Sequence, residues 1–387
     1  MRFPTFLVNK YLSLMIAGLL VAASAYAEER RHPTPIAKYL AGPVQQGSSP
    51  GLFAAVIDKK GVRAIATAGV RKQGAPEKLT VSDLVHLGSL TKAMTSVMLE
   101  TLVADGTFPN GWKTTVDDVY PELLEEILPG YHSVNLFQLV RMKSGIGHYR
   151  DIKFGWKYRL ADYFGNPGVG ILKERHAVLR EILMSTPVRP VGKFKNSSPA
   201  YVVVGAMAEK LTGKSWETLM EERLFTPLGI TTAGFGAPGT PGKVDQPWGH
   251  RRDKWKEWEP NQLPHFTPSR AFGPAGSVYI SIEDYAKFIA LWFRGKDPAI
   301  LDRDRLNVLI TPDSGRYAAG WFVSRRKWAR GIILRHSGSN GSWQTRVVVA
   351  PNRRIAYLAA ANARGKDAAR AVRSAIESLI KEASTSR

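Results

Sequence analysis

The spacing of apolar and polar positions changes character twice along the chain. Gly51-Leu-Phe-Ala-Ala-Val-Ile-Asp58 and Val62-Arg-Ala-Ile-Ala-Thr-Ala68 are short apolar runs around a Lys59-Lys60-Gly61 turn, which predicts a β-hairpin. From about Ser89 the period becomes helical, with Met94, Val97, Met98 and Leu102 on one stripe and Gly106 as the stop. Helical periods broken by proline and glycine continue from about 105 to 275. The clearest is a helix from Ser198-Pro199 to Gly213, with Ser198 as N-cap, a first-turn proline and a terminating glycine. From about 316 strands return: Tyr317 to Ser324, Ile332 to His336, Gln344 to Ala350 and Ile355 to Ala361. An amphipathic helix, Asp367 to Lys381, follows with Val372, Ile376 and Leu379 inward. The expected fold is therefore mixed α/β (α+β). An antiparallel sheet is built from both chain ends and flanked by helices, and a mostly helical lobe is inserted between them. A cleft between two lobes is a natural ligand site.

The beginning of the chain adds an address. Arg2 and Lys10, the apolar run Leu12 to Ala23, and Ala25-Tyr26-Ala27 before Glu28 read as an export signal over residues 1–27. The run is shorter than the roughly 18 to 20 apolar residues of a membrane span. No later segment is long and apolar enough to serve as an anchor. The expected product is exported, periplasmic or secreted, after cleavage near Ala27. Its single domain covers residues 28–387, with a sheet-containing lobe over 28–104 and 275–387 and a helical lobe over 105–274.

Composition narrows the chemistry. The 387 residues include no cysteine, which excludes disulfides, thiolate metal sites and a cysteine nucleophile. The net charge of +21 is spread along the chain without a dominant tract, so it reads as a generally basic surface, not a nucleic-acid stripe. The eight histidines form no His-x-x-x-His pair, and neither a metal nor another cofactor is expected. Gly47-Ser48-Ser49-Pro50-Gly51 matches Gly-x-Ser-x-Gly, but it precedes a strand where a nucleophile elbow must follow one, so it reads as a turn.

Ser-x-x-Lys occurs three times, at Ser89, Ser324 and Ser378. Ser324 falls in a strand, where positions three apart face opposite ways. Ser378 lies deep in the last helix. Only Ser89 opens a helix, with Lys92 one turn on and on the same face. A serine hydroxyl needs a neighbour to accept its proton, and a lysine whose surroundings favour the neutral amine can do so. The helix start supplies N–H groups and positive partial charge where an oxyanion would form.

Val85-His-Leu-Gly-Ser-Leu-Thr-Lys-Ala-Met94 resembles the active-serine segment of the serine β-lactamase and penicillin-binding-protein superfamily, closest to its class C-like branch. Further stretches are similar in the family's order: Asp117-Asp118-Val119 with Tyr120-Pro121, Leu136 to Gly145 with Met142 in place of a histidine, Phe225 to Ile230, and Ala275-Gly276-Ser277 with Asp284. His336-Ser337-Gly338 resembles the third motif. The resemblance implies a β-lactamase-like fold, acylation of Ser89 and an oxyanion hole from the Ser89 and Ser339 N–H groups. It also implies His336 and Gly338 as substrate-binding residues.

The second motif departs from the family. Aligned on Gly192, Phe194 and Tyr201, the family's tyrosine position is Asn196 and its asparagine position is Ser198. An amide can orient partners but cannot take the tyrosine's proton. Three readings stay open: Lys92 acts alone with Asn196 and Ser198 as positioners, Tyr201 substitutes, or catalysis is lost. Histidine is only partly charged near neutrality, which tilts the expectation away from efficient β-lactam hydrolysis. The expected function is an acyl-enzyme hydrolase of small-molecule or peptide esters and amides, esterase-like or D-Ala peptidase-like. The alternative is a catalytically impaired binder of peptidoglycan fragments or a protein partner.

Overall fold

The computed structural model describes residues 35–152, 170–252, 258–261, 270–295 and 300–385; the export signal expected over 1–27 lies outside the described residues. The N-terminal apolar runs become β1 (Gly51–Asp58) and β2 (Gly61–Gly69). The C-terminal end supplies β3 (Phe322–Arg326), β4 (Gly331–Gly338), β5 (Gln344–Ala350) and β6 (Ile355–Ala361). All pair antiparallel in one sheet, ordered β2-β1-β6-β5-β4-β3. The seam joining the two chain ends is β1 against β6, with Leu52 opposite Ala361 and Asp58 opposite Ile355. The longer helices are α1 (Lys38–Gln45), α2 (Thr91–Ala104), α3 (Ile171–Leu183), α4 (Pro199–Thr212), α5 (Ile282–Ala290), α6 (Arg303–Ile310) and α7 (Lys366–Thr385).

β1 and β6 are continuous apolar runs because both faces of the sheet are covered. Phe53, Ala55, Ile57, Ala356, Leu358 and Ala360 belong to the core shared with α2 and the helical middle of the chain. Leu52, Ala54, Val56, Tyr357, Ala359 and Ala361 pack instead with Leu40 of α1 and with Val372, Ile376 and Leu379 of α7.

α2 departs from the single stripe its sequence suggests: every residue from Thr91 to Glu100 is buried. It is enclosed between the sheet and the helical middle, so its polar side chains need partners inside. Thr95 Oγ1 donates to the Pro274 carbonyl at 2.9 Å and Ser96 Oγ to the Lys92 carbonyl at 2.9 Å. Glu100 pairs with Arg305 at 2.9 Å.

Two local expectations are corrected. Ser198 does not cap α4: its backbone is already helical (φ −72°, ψ −36°) and its side chain makes no cap bond. The buried Ser197 does this work, its Oγ accepting the Ala200 N–H at 3.1 Å and donating to the Gly147 carbonyl at 2.8 Å. β3 begins at Phe322 and not at Tyr317, because the chain reverses between them. The Ala318 N–H bonds to the Trp321 carbonyl at 2.8 Å around Gly320.

The helical middle is tied to the site by a buried ion cluster. Arg175 on α3 pairs with Glu209 on α4, both fully buried, and with Glu217 at 2.7 Å. Glu209 also accepts the Trp216 N–H at 2.9 Å. Arg175 Nε donates to the Ala271 carbonyl at 3.1 Å. It thereby holds the segment Gly273–Gly276, whose Pro274 carbonyl meets α2. α4 approaches the same segment so closely that a Cβ at Gly205 would fall 2.5 Å from Pro274 Cγ.

Glu209→Ala would leave Arg175 paired with Glu217, whereas removing the arginine leaves Glu209 buried without a cation among the described residues. Arg175→Ala is therefore expected to destabilise the fold by about 3 to 5 kcal/mol. Urea denaturation of the two proteins side by side checks this, and a loss below about 1 kcal/mol, the range of an exposed pair, contradicts it.

Candidate active site

A turn, Gly88–Leu90, leads straight into α2 and places Ser89 at the head of the helix. Its geometry requires glycine on two sides. Gly88 has φ +53°, and a Cβ there would lie 2.5 Å from Ser339 N. A Cβ at Gly338, the last residue of β4, would lie 1.9 Å from the Leu87 carbonyl oxygen and 2.9 Å from Ser89 N. The end of β4 thus rests backbone against backbone on the serine turn, and the Ser89 and Ser339 nitrogens occupy neighbouring positions. His86 secures the turn from within: its Nδ1 accepts the Gly88 N–H at 3.0 Å, and its carbonyl accepts from Thr345 Oγ1 at 2.8 Å. Burial lowers the His86 imidazole to about 3, leaving it the neutral acceptor this bond needs.

Lys92 is 1% exposed. Its Nζ lies 3.0 Å from Ser89 Oγ and donates to the Ala275 carbonyl at 2.6 Å. Burial without a carboxylate partner disfavours the ammonium and lowers this amine from its ordinary value to about 7. With the amine neutral, its lone pair can accept from the Ser89 hydroxyl across this 3.0 Å contact, the arrangement of a serine and its base.

Ser89 and Lys92 line a cavity of about 160 Å³, with Met142 and Asn196 beside them. Met142 is held at φ +56° where two segments cross: its carbonyl accepts the Lys195 N–H at 2.9 Å, and the next carbonyl, of Lys143, accepts the Gly192 N–H at 2.7 Å. This brings Asn196, an exposed residue, to the cleft. Ser198 is not among the lining residues. Tyr201 turns its hydroxyl away, donating to the Val140 carbonyl at 2.9 Å. Burial pushes that phenol up, and only its ring face meets Lys92 Nζ, at 5.5 Å. Tyr201 is thus packed, not poised as a base.

The other wall is formed by Tyr317, Phe322 and His336. His336 stacks on Phe322 with centroids 6.0 Å apart, and its Nδ1 has no hydrogen-bond partner among the described residues. Burial, then the nearby Lys92, lowers its imidazole to about 3, so the ring is neutral. Arg335, Ser337 and Arg346 complete the lining, although the sequence motifs did not single out the two arginines. A larger cavity, about 650 Å³, lies on the α7 side of the sheet beside Val56, Tyr357 and Leu379, and contains none of the site residues expected from the sequence. The remaining Ser-x-x-Lys matches lie apart from the cleft, with Ser324 on β3 and Ser378 in α7. Among the described residues no cluster of three His, Asp or Glu side chains could hold a metal ion, and no helix is long and apolar enough to cross a membrane.

The family model described as Beta-lactamase matches residues 36–380. Penicillin-binding protein 4 of Amycolatopsis lactamdurans is 25% identical over 241 residues, 62% of this chain and 58% of its own length. A beta-lactamase of Escherichia coli (strain K12) is 24% identical over 279 residues, 71% of this chain and 65% of its own. The chain thus spans less than two thirds of either curated relative. Among solved structures, the D-amino acid amidase from Ochrobactrum anthropi SV3 complexed with L-phenylalanine amide superposes with a TM-score of 0.70. The two share 17% identity over 90% of this chain and 98% of that one, a likeness of fold.

The two bases of the cleft are expected to titrate far from their free values. Lys92 Nζ, followed by NMR of ¹³Cε-labelled lysine, should change protonation near pH 7. His336 should show neutral ring-nitrogen shifts from pH 9 down to about 4. A Lys92 titration above pH 9, or a charged His336 at pH 5, contradicts the burial argument.

Proposed function

The chain belongs to the beta-lactamase family, and from that membership we propose that it is an exported serine hydrolase of small ester or amide substrates, working through an acyl-enzyme on Ser89. The observation that carries the proposal is the Lys92 amine, buried, brought to about 7 and 3.0 Å from Ser89 Oγ. The leader-like residues 1–27 support the export part.

In the proposed course, Ser89 Oγ attacks the substrate carbonyl carbon as its proton passes to Lys92 Nζ. The oxyanion is met by the Ser89 and Ser339 N–H groups, fixed before the reaction by the Gly88 and Gly338 contacts. Collapse breaks the bond to the leaving group, which takes the proton from Lys92. Water then repeats the sequence on the acyl-enzyme, releasing the acid and restoring Ser89. Asn196 can orient substrate by hydrogen bonds but moves no proton. His336 is neutral and offers one donor and one acceptor, not a fixed charge. This supports an esterase-like or amidase-like role, in keeping with a structural neighbour that is a D-amino acid amidase, over efficient β-lactam hydrolysis.

Acylation needs the neutral amine, so kcat/KM for an activated ester should rise about tenfold per pH unit below 7 and level off above it. Ser89→Ala should lower it by about a thousandfold or more. Equal, pH-independent rates in the two proteins would favour a binder that has lost catalysis. Asn196→Tyr restores a phenol at the cleft and should raise kcat by about tenfold or more. An unchanged or lower kcat in a folded variant shows a site adapted to the amide.

A further inference from the structure

We propose that the end of the sheet remote from the cleft is a docking surface for a bilayer rich in anionic phospholipid, with three basic hairpin turns meeting its headgroups. The inference goes beyond the reaction at Ser89 and does not depend on it.

The antiparallel order β2-β1-β6-β5-β4-β3 puts the β1–β2, β5–β6 and β3–β4 turns at the same end of the sheet. Each turn is basic. The first carries Lys59 and Lys60, with Arg63 just inside β2, and the second carries Arg353 and Arg354. The third runs Arg325-Arg326-Lys327-Trp328-Ala329-Arg330. All of these cations except Arg353 are exposed. Asp58 is the one acidic residue of the three turns, and among the described residues no carboxylate forms an ion pair with any of the cations. Charge that is spread along the chain is thus gathered by strand register. Adjacent strands lie about 4.8 Å apart, so the front from β2 to β3 is about 24 Å wide. A single small anion cannot bridge that width, whereas an array of headgroups can.

Two of the turns keep an arginine where the backbone disfavours one. Arg330 and Arg354 are left-handed, with φ +54° and +51°, a conformation ordinarily given to glycine or asparagine. Met142 is the only other non-glycine residue with positive φ among the described residues. Strain held at such positions points to a task for the side chain. Arg353 ties the same two turns together, its Nη1 donating to the Trp328 carbonyl at 3.1 Å. Its Nε is buried and has no hydrogen-bond partner among the described residues.

The cavity of about 650 Å³ opens beside these turns. Lys59, Arg63, Arg353 and Arg354 line it, over a floor that includes Ile36, Val56, Ile355 and Leu379. Its two acids are already engaged. Asp58 Oδ1 accepts the Lys60 N–H at 2.8 Å, and Glu382 accepts from Lys38 Nζ and Tyr39 Oη at 3.1 Å each. A cationic rim over an apolar floor matches an amphiphile, with phosphate at the rim and glycerol and acyl carbons within. A nucleic acid would leave that floor unused and would call for aromatic side chains on which bases stack. The one aromatic of the three turns, Trp328, instead packs inward, its ring 6.0 Å from that of Tyr357. β4 runs from Gly331 at this end to Gly338 beside Ser89, a span of about 23 Å. Docking by the turns therefore leaves the cleft on the side away from the bilayer.

Co-sedimentation with vesicles tests the surface. The full chain is expected to bind phosphatidylcholine vesicles containing about a third phosphatidylglycerol about tenfold or more tightly than phosphatidylcholine alone. Lys59→Gln, Lys60→Gln, Arg326→Gln and Lys327→Gln together should lower that affinity by about tenfold or more. Removing the same charge from exposed lysines elsewhere, with Lys78→Gln, Lys113→Gln, Lys173→Gln and Lys366→Gln, should leave it within about twofold. Arg330→Gly with Arg354→Gly should weaken binding about threefold or more while the thermal midpoint stays level or rises, because glycine relieves the left-handed backbone. No preference for the anionic vesicles overturns the proposal. So does an equal loss in the two sets of four, which assigns the attraction to net charge alone. Tighter binding of a DNA duplex at the same salt reassigns the surface to nucleic acid and overturns it as well.

Discussion

The structure depends on keeping one amine dry. Lys92 is enclosed on a helix whose first ten residues are all buried, and removing an ammonium from water without a counter-charge costs several kcal/mol. The molecule does not supply a carboxylate to offset that cost. It supplies the Ala275 carbonyl and the Ser89 hydroxyl, so the proton is the component that gives way. Both neighbours are themselves held from a distance. The Arg175–Glu209 pair anchors the segment that carries Ala275, and the Gly88 and Gly338 contacts lock the serine turn onto β4. The seam between β1 and β6, which unites the two chain ends, therefore has a chemical consequence. It builds the platform on which a strand from the C-terminal end meets a turn from the N-terminal end.

The same physics sorts the cations of the cleft. Burial takes the charge from His336 and weakens it on Lys92, whereas a guanidinium cannot give up its proton in a protein. A single small cavity thus contains a base, a neutral imidazole and two permanent charges. The sign of the potential comes from Arg335 and Arg346, and the reactivity comes from Lys92.

Much of the frame is readable in the sequence because its elements obey local rules. The bounds of β1, β5 and β6 coincide with the apolar runs that announce them, since a strand covered on both faces needs no alternation to be recognised. The Gly88-Ser89 helix start with Lys92 one turn on is equally local, and the structure brings both residues to the cleft. Other features depend on what lies across the fold. Ser197 and Ser198 are equivalent by composition, and only the Gly147 carbonyl reaching Ser197 distinguishes them. The left-handed backbone of Met142 is set by the loop at Gly192 and Lys195, fifty residues on. His86 signals only through its two-residue spacing from Gly88. Arg335 and Arg346 meet through the β4–β5 register, which no local pattern states.

Covalent chemistry at Ser89 is the claim that everything else serves. The most direct measurement is intact-mass spectrometry of the protein after brief exposure to a fluorescent penicillin or an activated acyl ester at pH 8, with peptide mapping of any adduct. A single acyl increment on the peptide that contains Ser89, absent from Ser89→Ala, is the predicted result. An unmodified mass with both reagents, or an adduct mapped to another residue, contradicts it.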